Sequence, residues 1–91
     1  MGDIMTIKSK FDKGNIVLVF DTIAKRKRFL HIVGIEKWDI FNGFTYKVKE
    51  YPDKYAREEI YDDFDFENQF DIEMIFSNAE DLKQWQNEGG K

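Results

Sequence analysis

Cysteine is absent from this 91-residue chain, which removes disulfides and thiolate metal ligands as sources of stability and fits a cytosolic protein. Histidine occurs once, at His31, and serine only at Ser9 and Ser77, so the usual partners for nucleophilic catalysis are nearly missing. Gly14, Gly34 and Gly43 are scattered singly, and no phosphate-cradling loop exists. No apolar run nears the ~20 residues that span a bilayer, and residues 1–10 lack a signal-peptide core. The expectation is a cytoplasmic protein with no membrane association, no cofactor and no enzymatic activity. From Glu58 to Glu73 there is no Lys or Arg at all, against eight carboxylates.

What is present is aromatic bulk. Phe, Trp and Tyr make up 16% of the residues, nine of them Phe. A chain of this length buries only about 60–65% of its unfolded surface, and large rings partly offset that limit. It reads as one domain, 1–91, with an ordered core over about 11–87. The net charge of −4 conceals a division. Residues 1–57 carry twelve Lys/Arg against seven Asp/Glu, for +5, and residues 58–91 carry two against eleven, for −9. Such asymmetry points either to a charged partner or to pairing of the two halves with each other.

Along the chain, Lys13-Gly14-Asn15 marks a turn before a β-branched run, giving a strand over about 15–21. A basic loop follows, then a longer strand over about 28–40 with Gly34 as a bulge. On that strand His31 is expected to share a face with Phe29, Val33 and Ile35. Asn42-Gly43 predicts a hairpin into a strand over about 44–51. A three-residue loop, Phe41-Asn42-Gly43, would place Trp38 and Ile40 beside Tyr46 and Phe44, with Lys37 and Lys47 outside. Residues 53–70 form an acidic insertion in which "DFDFE" alternates as a strand does, with Phe64 and Phe66 on one side. A last strand over about 70–76 leads to a helix over about 78–88. Ser77 serves as its N-cap with Glu80 three residues on, Leu82 and Trp85 dock on the strands, and Gly89-Gly90 ends it.

The segments "FDKGNIVLVFD", "HIVGIE", "FTYKVKEY" and "IFSNAEDLKQW" together resemble the Src-homology-three-like small barrels often encoded by bacteriophages and mobile elements. The resemblance implies a mainly β fold, a small open antiparallel barrel with a C-terminal helix, here carrying the acidic insertion. It assigns no activity, since many functions share such folds.

Four chemistries compete for the charged residues. A calcium loop starting at Asp63 would need Gly at its sixth position and Glu at its twelfth, where Asn68 and Met74 stand, so no metal site is expected. Paired carboxylates can act in acid–base catalysis, but nothing isolates one pair in an apolar pocket. The basic run Lys25, Arg26, Lys27 and Arg28, with Phe29 beside it, could meet phosphates and stack a base. A sequence pI near 4.9 argues against a general nucleic-acid binder. The acidic stretch itself, Glu58, Glu59, Asp62, Asp63, Asp65, Glu67 and Asp71, has two readings. It protects a strand edge from aggregation, or it recognises a protein partner with a basic surface, imitating the phosphate ladder of a nucleic acid. The sequence thus favours a non-catalytic acidic binding protein, of the accessory or inhibitor kind found in mobile elements. A nucleic-acid-binding barrel using 25–28 and a subunit of a larger assembly are the alternatives, and the oligomeric state is left open.

Overall fold

The computed structural model describes residues 9–37 and 43–90. Five antiparallel strands form one open sheet: β1 (Ile16–Asp21), β2 (Arg26–Lys37), β3 (Phe44–Glu50), β4 (Glu59–Asp62) and β5 (Phe70–Phe76), with helices α1 (Asp63–Gln69) and α2 (Ala79–Asn87). Their order across the sheet is β4-β3-β2-β1-β5, an arrangement compatible with a small open barrel bearing a C-terminal helix. Both edge strands therefore come from the acidic stretch and its continuation, and α1 joins one edge to the other.

Alternation sorts the side chains onto two faces. Val17, Val19, Leu30, Ile32, Tyr46 and Val48 point to the face covered by α1, where Phe11, Phe44, Phe66 and Phe70 complete the main core. Ile16, Leu18 and Phe76 lie on the other face under Leu82 of α2, with Phe29, Tyr51 and Trp85 packed around them. The Phe76 and Trp85 rings are 5.2 Å apart, so α2 docks through the stripe its sequence shows.

Gly34 does mark a bulge, because the β2–β3 register shifts between Ile32 and Gly34. A Cβ there would stand 3.3 Å from Lys47 Cδ, a close approach that glycine relieves. The bulge also turns Ile35 onto the core face opposite Tyr46, so His31 shares its face with Phe29 but not with Ile35. The hairpin register differs from expectation. Tyr46 pairs with Ile35 rather than Trp38, and Phe44 pairs with Lys37. The expected three-residue loop, Phe41-Asn42-Gly43, includes two positions, 41 and 42, that lie outside the described residues. Local turn chemistry missed the register because the inward rings, Tyr46 against Phe11 at 5.1 Å, decide which residues must face the core.

The larger correction is α1. Residues 63–69 are helical, not extended, and Phe64 is exposed while Phe66 is fully buried. Asp62 caps the helix, its side chain accepting a hydrogen bond from Asp65 N, and Asp63 and Asp65 sit in the first turn where the helix dipole favours anions. Seven residues are too few for an isolated helix. This one is held by Phe66, whose ring meets Phe11, Tyr61 and Phe70 at 5.0, 6.1 and 4.7 Å. Strict alternation in "DFDFE" thus carried no strand information, since only one of its two rings is inside.

The cap of α2 is also one residue later than expected. Asn78, not Ser77, has the N-cap position and accepts from Asp81 N at 2.9 Å. Gly89, with φ of 94°, and Gly90 close the helix as expected, Gly90 N bonding to Trp85 O at 2.9 Å. Asn78→Ala should cost about 1 kcal/mol and lower the melting midpoint by roughly 5 °C. Ser77→Ala should change stability by no more than about 0.5 kcal/mol, and equal losses from both would contradict the assigned cap.

Candidate functional site

The charged residues divide into a buried group that holds the fold and an exposed group free to meet a partner. The buried group centres on Arg28, which alternation along β2 turns inward beside Val19. Its guanidinium donates from Nη1 to Asp21 Oδ2 at 2.9 Å, from Nε to Glu50 Oε1 at 2.8 Å and from Nη2 to Glu59 Oε2 at 2.5 Å. One side chain of β2 thereby ties together β1, β3 and β4. The Phe70 ring lies 5.7 Å from the guanidinium carbon, adding a contact from β5.

Burial works against the charge on Arg28, but the bonds to Glu59, Asp21 and Glu50 outweigh it and hold the group above its ordinary pKa. Burial likewise pushes the Asp21 carboxyl up. The Ala24 amide, Arg28, the Ile23 amide and Gln69 more than reverse this, leaving its pKa below the usual value. Tyr61 donates its hydroxyl to Glu59 at 2.5 Å, and burial with that bond pushes its pKa up to about 12. At the other end of the core, Tyr46 is raised by burial and by donating to Asp63 Oδ1 at 2.7 Å. Asp63 Oδ2 also accepts from Phe44 N at 3.0 Å, fastening α1 to β3.

The structure therefore separates the seven acidic candidates. Glu59 belongs to the Arg28 cluster, Asp62 caps α1, Asp63 anchors α1 to β3, and Glu67 pairs with Lys10. Glu58, Asp65 and Asp71 are exposed, and their side chains make no hydrogen bond or ion pair among the described residues. The regular ladder expected of Asp63, Asp65 and Glu67 does not form, because the helix sets Asp63 and Glu67 on one face and turns Asp65 away from them. The basic candidates are similarly divided. Arg28 is buried, Arg26 and Lys27 lie near Glu50 and Glu73 at 3.4 and 3.2 Å, and Phe29 packs under α2. Lys25 alone is exposed without such a partner among the described residues, in a turn where its φ is 61°. Among the described residues three ion pairs join the two halves of the chain: Lys10–Glu67, Lys27–Glu73 and Arg28–Glu59.

Sequence reading missed an apolar component. Ile23, Ile60 and Phe64 are 73, 61 and 72% exposed, too much for core residues. Ile23 and Ile60 line an opening of about 290 Å³ with Tyr61, Asp65, Asn68 and Gln69. The β1–β2 turn, β4 and α1 thus meet at an opening that the carboxylate of Asp65 also lines. Alternation in the acidic stretch hid it, because Phe64 was paired in the reading with Phe66. Among the described residues no three His, Asp or Glu side chains group so as to hold a metal ion, and no helix is long and apolar enough to cross a membrane. Compared with protein-family models, curated proteins and solved structures, the chain matches none.

Two outcomes test the Arg28 cluster. Arg28→Met leaves three carboxylates converging on an apolar group and should cost about 3–5 kcal/mol, a large part of the roughly 5–14 kcal/mol available to a chain of this size. Arg28→Lys, lacking the fork that reaches three partners, should fall between Met and wild type in urea unfolding. Since the folded pKa of Asp21 lies below its unfolded value near 3.8, its contribution is complete above that value and disappears as the pH falls through the folded one. Melting followed from pH 6 down to about pH 2 should show a drop below about pH 4 that is shallower in Asp21→Asn.

Proposed function

We propose that this protein is a non-catalytic binding module that recognises another protein through the apolar and acidic surface of β4, α1 and the β1–β2 turn. The observation that carries this reading is the exposure of Ile23 and Ile60 in one opening beside the unpaired carboxylate of Asp65, with Phe64 exposed on the same helix as Asp65. Large apolar side chains exposed together mark interaction surfaces more often than chance solvent contact. A partner of matching chemistry presents an apolar contact surrounded by Lys or Arg. Burial of Phe64 and Ile60 then supplies affinity, and the acids steer the approach.

The carboxylates that do converge are neutralised by Arg28, which supports binding over acid–base chemistry. Imitation of a phosphate ladder is no part of this reading, since α1 breaks the ladder. An accessory or inhibitor of a mobile element is the specific form we favour. The structure of both edges supports a second role for the same stretch: Glu73 and Asp71 on β5 and Glu58 beside β4 place charge where an open sheet is prone to pair with another chain.

Affinity capture from cells that encode the protein, run in parallel with wild type and Phe64→Ala/Asp65→Asn, tests the surface. Neither side chain supports the core, so the variant should fold, and its melting curve checks this. A partner retained by wild type should be lost by the variant, and its association should slow as salt rises above about 0.1 M. A partner bound equally by both proteins would place recognition elsewhere.

A further inference from the structure

The cations that matter outside the fold are not the consecutive ones. Alternation along β3 puts Lys47, Lys49 and Tyr51 on the face away from Arg28, and antiparallel pairing sets His31 directly opposite Lys49. The His31 and Tyr51 rings meet edge to face with centroids 6.0 Å apart. Together with Lys54 in the following loop they line a cleft of about 380 Å³, within the ~300–1,000 Å³ usual for ligand sites. Lys54 Nζ is also 5.3 Å from the ring centroid of Tyr55, which is 83% exposed.

Two acids also line this cleft, and their bonds decide its charge. Glu50 directs Oε1 to Arg28 at 2.8 Å and Oε2 to Arg26 at 3.4 Å, so cations already balance it. Asp53 accepts from Tyr55 N at 2.9 Å, shaping the loop that carries Lys54 and Tyr55. Lys49 and Lys54 have no carboxylate within ion-pair distance among the described residues. Lys49 and Lys54 thus present unpaired ammonium groups in the cleft beside the exposed ring of Tyr55.

We propose that this cleft is a second binding site and that it takes a nucleotide unit of single-stranded nucleic acid. Lys49 and Lys54 hold the phosphate, and Tyr55 stacks on the base. Cationic grooves with exposed aromatic rings bind single strands in this way, tolerant of sequence because every base offers a face. A duplex fits poorly, since its bases are stacked and hidden from Tyr55. The site is distinct from the acidic surface of β4 and α1, and none of the run at 25–28 lines it, Arg26 and Arg28 reaching it only through their bonds to Glu50.

Fluorescence anisotropy of a labelled oligothymidylate, titrated with the full chain at about 50 mM salt, tests the site. Binding should weaken about tenfold or more in Lys49→Gln/Lys54→Gln and about tenfold in Tyr55→Ala. It should be unchanged in Lys25→Gln/Lys27→Gln. One phosphate neutralised on a single strand predicts a slope of about −0.7 for log affinity against log salt. Competition by thymidine monophosphate and by inorganic phosphate separates the sources. A strand site prefers the oligonucleotide, whereas displacement by the mononucleotide at similar concentration makes it a site for free nucleotides. Melting curves of each variant confirm folding, Lys49 being half-buried and the other substituted positions exposed. Absence of binding at low salt overturns the proposal, as does loss confined to the 25–27 variant. Lysine dependence without any effect of Tyr55→Ala would reduce the site to simple phosphate attraction and overturn the nucleotide assignment.

Discussion

A single guanidinium organises this fold. Arg28 sits inside a small open barrel and satisfies its donors with carboxylates from three other strands. An ion pair in such a place adds little net stability over an apolar replacement, because removing charges from water is costly. What it adds is conditional geometry. With Arg28 in place, Asp21, Glu50 and Glu59 have only one arrangement that leaves none of them unpaired, and that arrangement sets β1, β3 and β4 around β2. Gln69 and Tyr61 extend the same network to the end of α1 and to β4. A core short of aliphatic bulk at this end is closed by charge, while the opposite end is closed by Phe11, Tyr46 and Phe66.

The acidic stretch takes on a different meaning once both ends of the barrel are considered. It supplies the two edges of the sheet and the helix between them, so it is the segment that closes the fold rather than an insertion into it. Four of its carboxylates have structural partners: an arginine, a helix N-terminus, a tyrosine hydroxyl with a backbone amide, and Lys10. Asp65, left over on α1, joins the exposed Ile60 and Phe64 in the surface to which we assign recognition. A segment used both to close a sheet and to meet a partner has to keep some side chains unsatisfied in the free protein, and Glu58, Asp65 and Asp71 are those side chains.

The two poles of charge are consequently not where the sequence lays them out. Lys25 to Arg28 look like an interaction motif because they are consecutive, yet a strand sends alternate members to opposite faces, and one of them is interred. Lys49 and Lys54 look unremarkable in sequence, with Glu50 and Asp53 between them, yet pairing brings Lys49 to His31, and the loop after β3 brings Lys54 into the same cleft. The acids that intervene are drawn away to Arg28, Arg26 and a backbone amide.

Sequence alone determined what depends on neighbours close along the chain. The strands at 16–21 and 70–76, the turn at Gly14, the bulge at Gly34 and the Leu82–Trp85 stripe of α2 all follow from local patterning of side-chain volume, polarity and backbone freedom. Tertiary structure decided what depends on partners distant along the chain. The β2–β3 register was set by which residues could join Phe11 and Phe66 in the core, not by the turn. Residues 63–69 became a helix because Phe66 had to reach rings from four other segments, while Phe64 meets none among the described residues. The fate of each charge followed the same rule. Whether a carboxylate is a cap, a clamp or a free surface group is fixed by what lies within about 3 Å of it, and that distance is a property of the packed chain, invisible in the order of its residues.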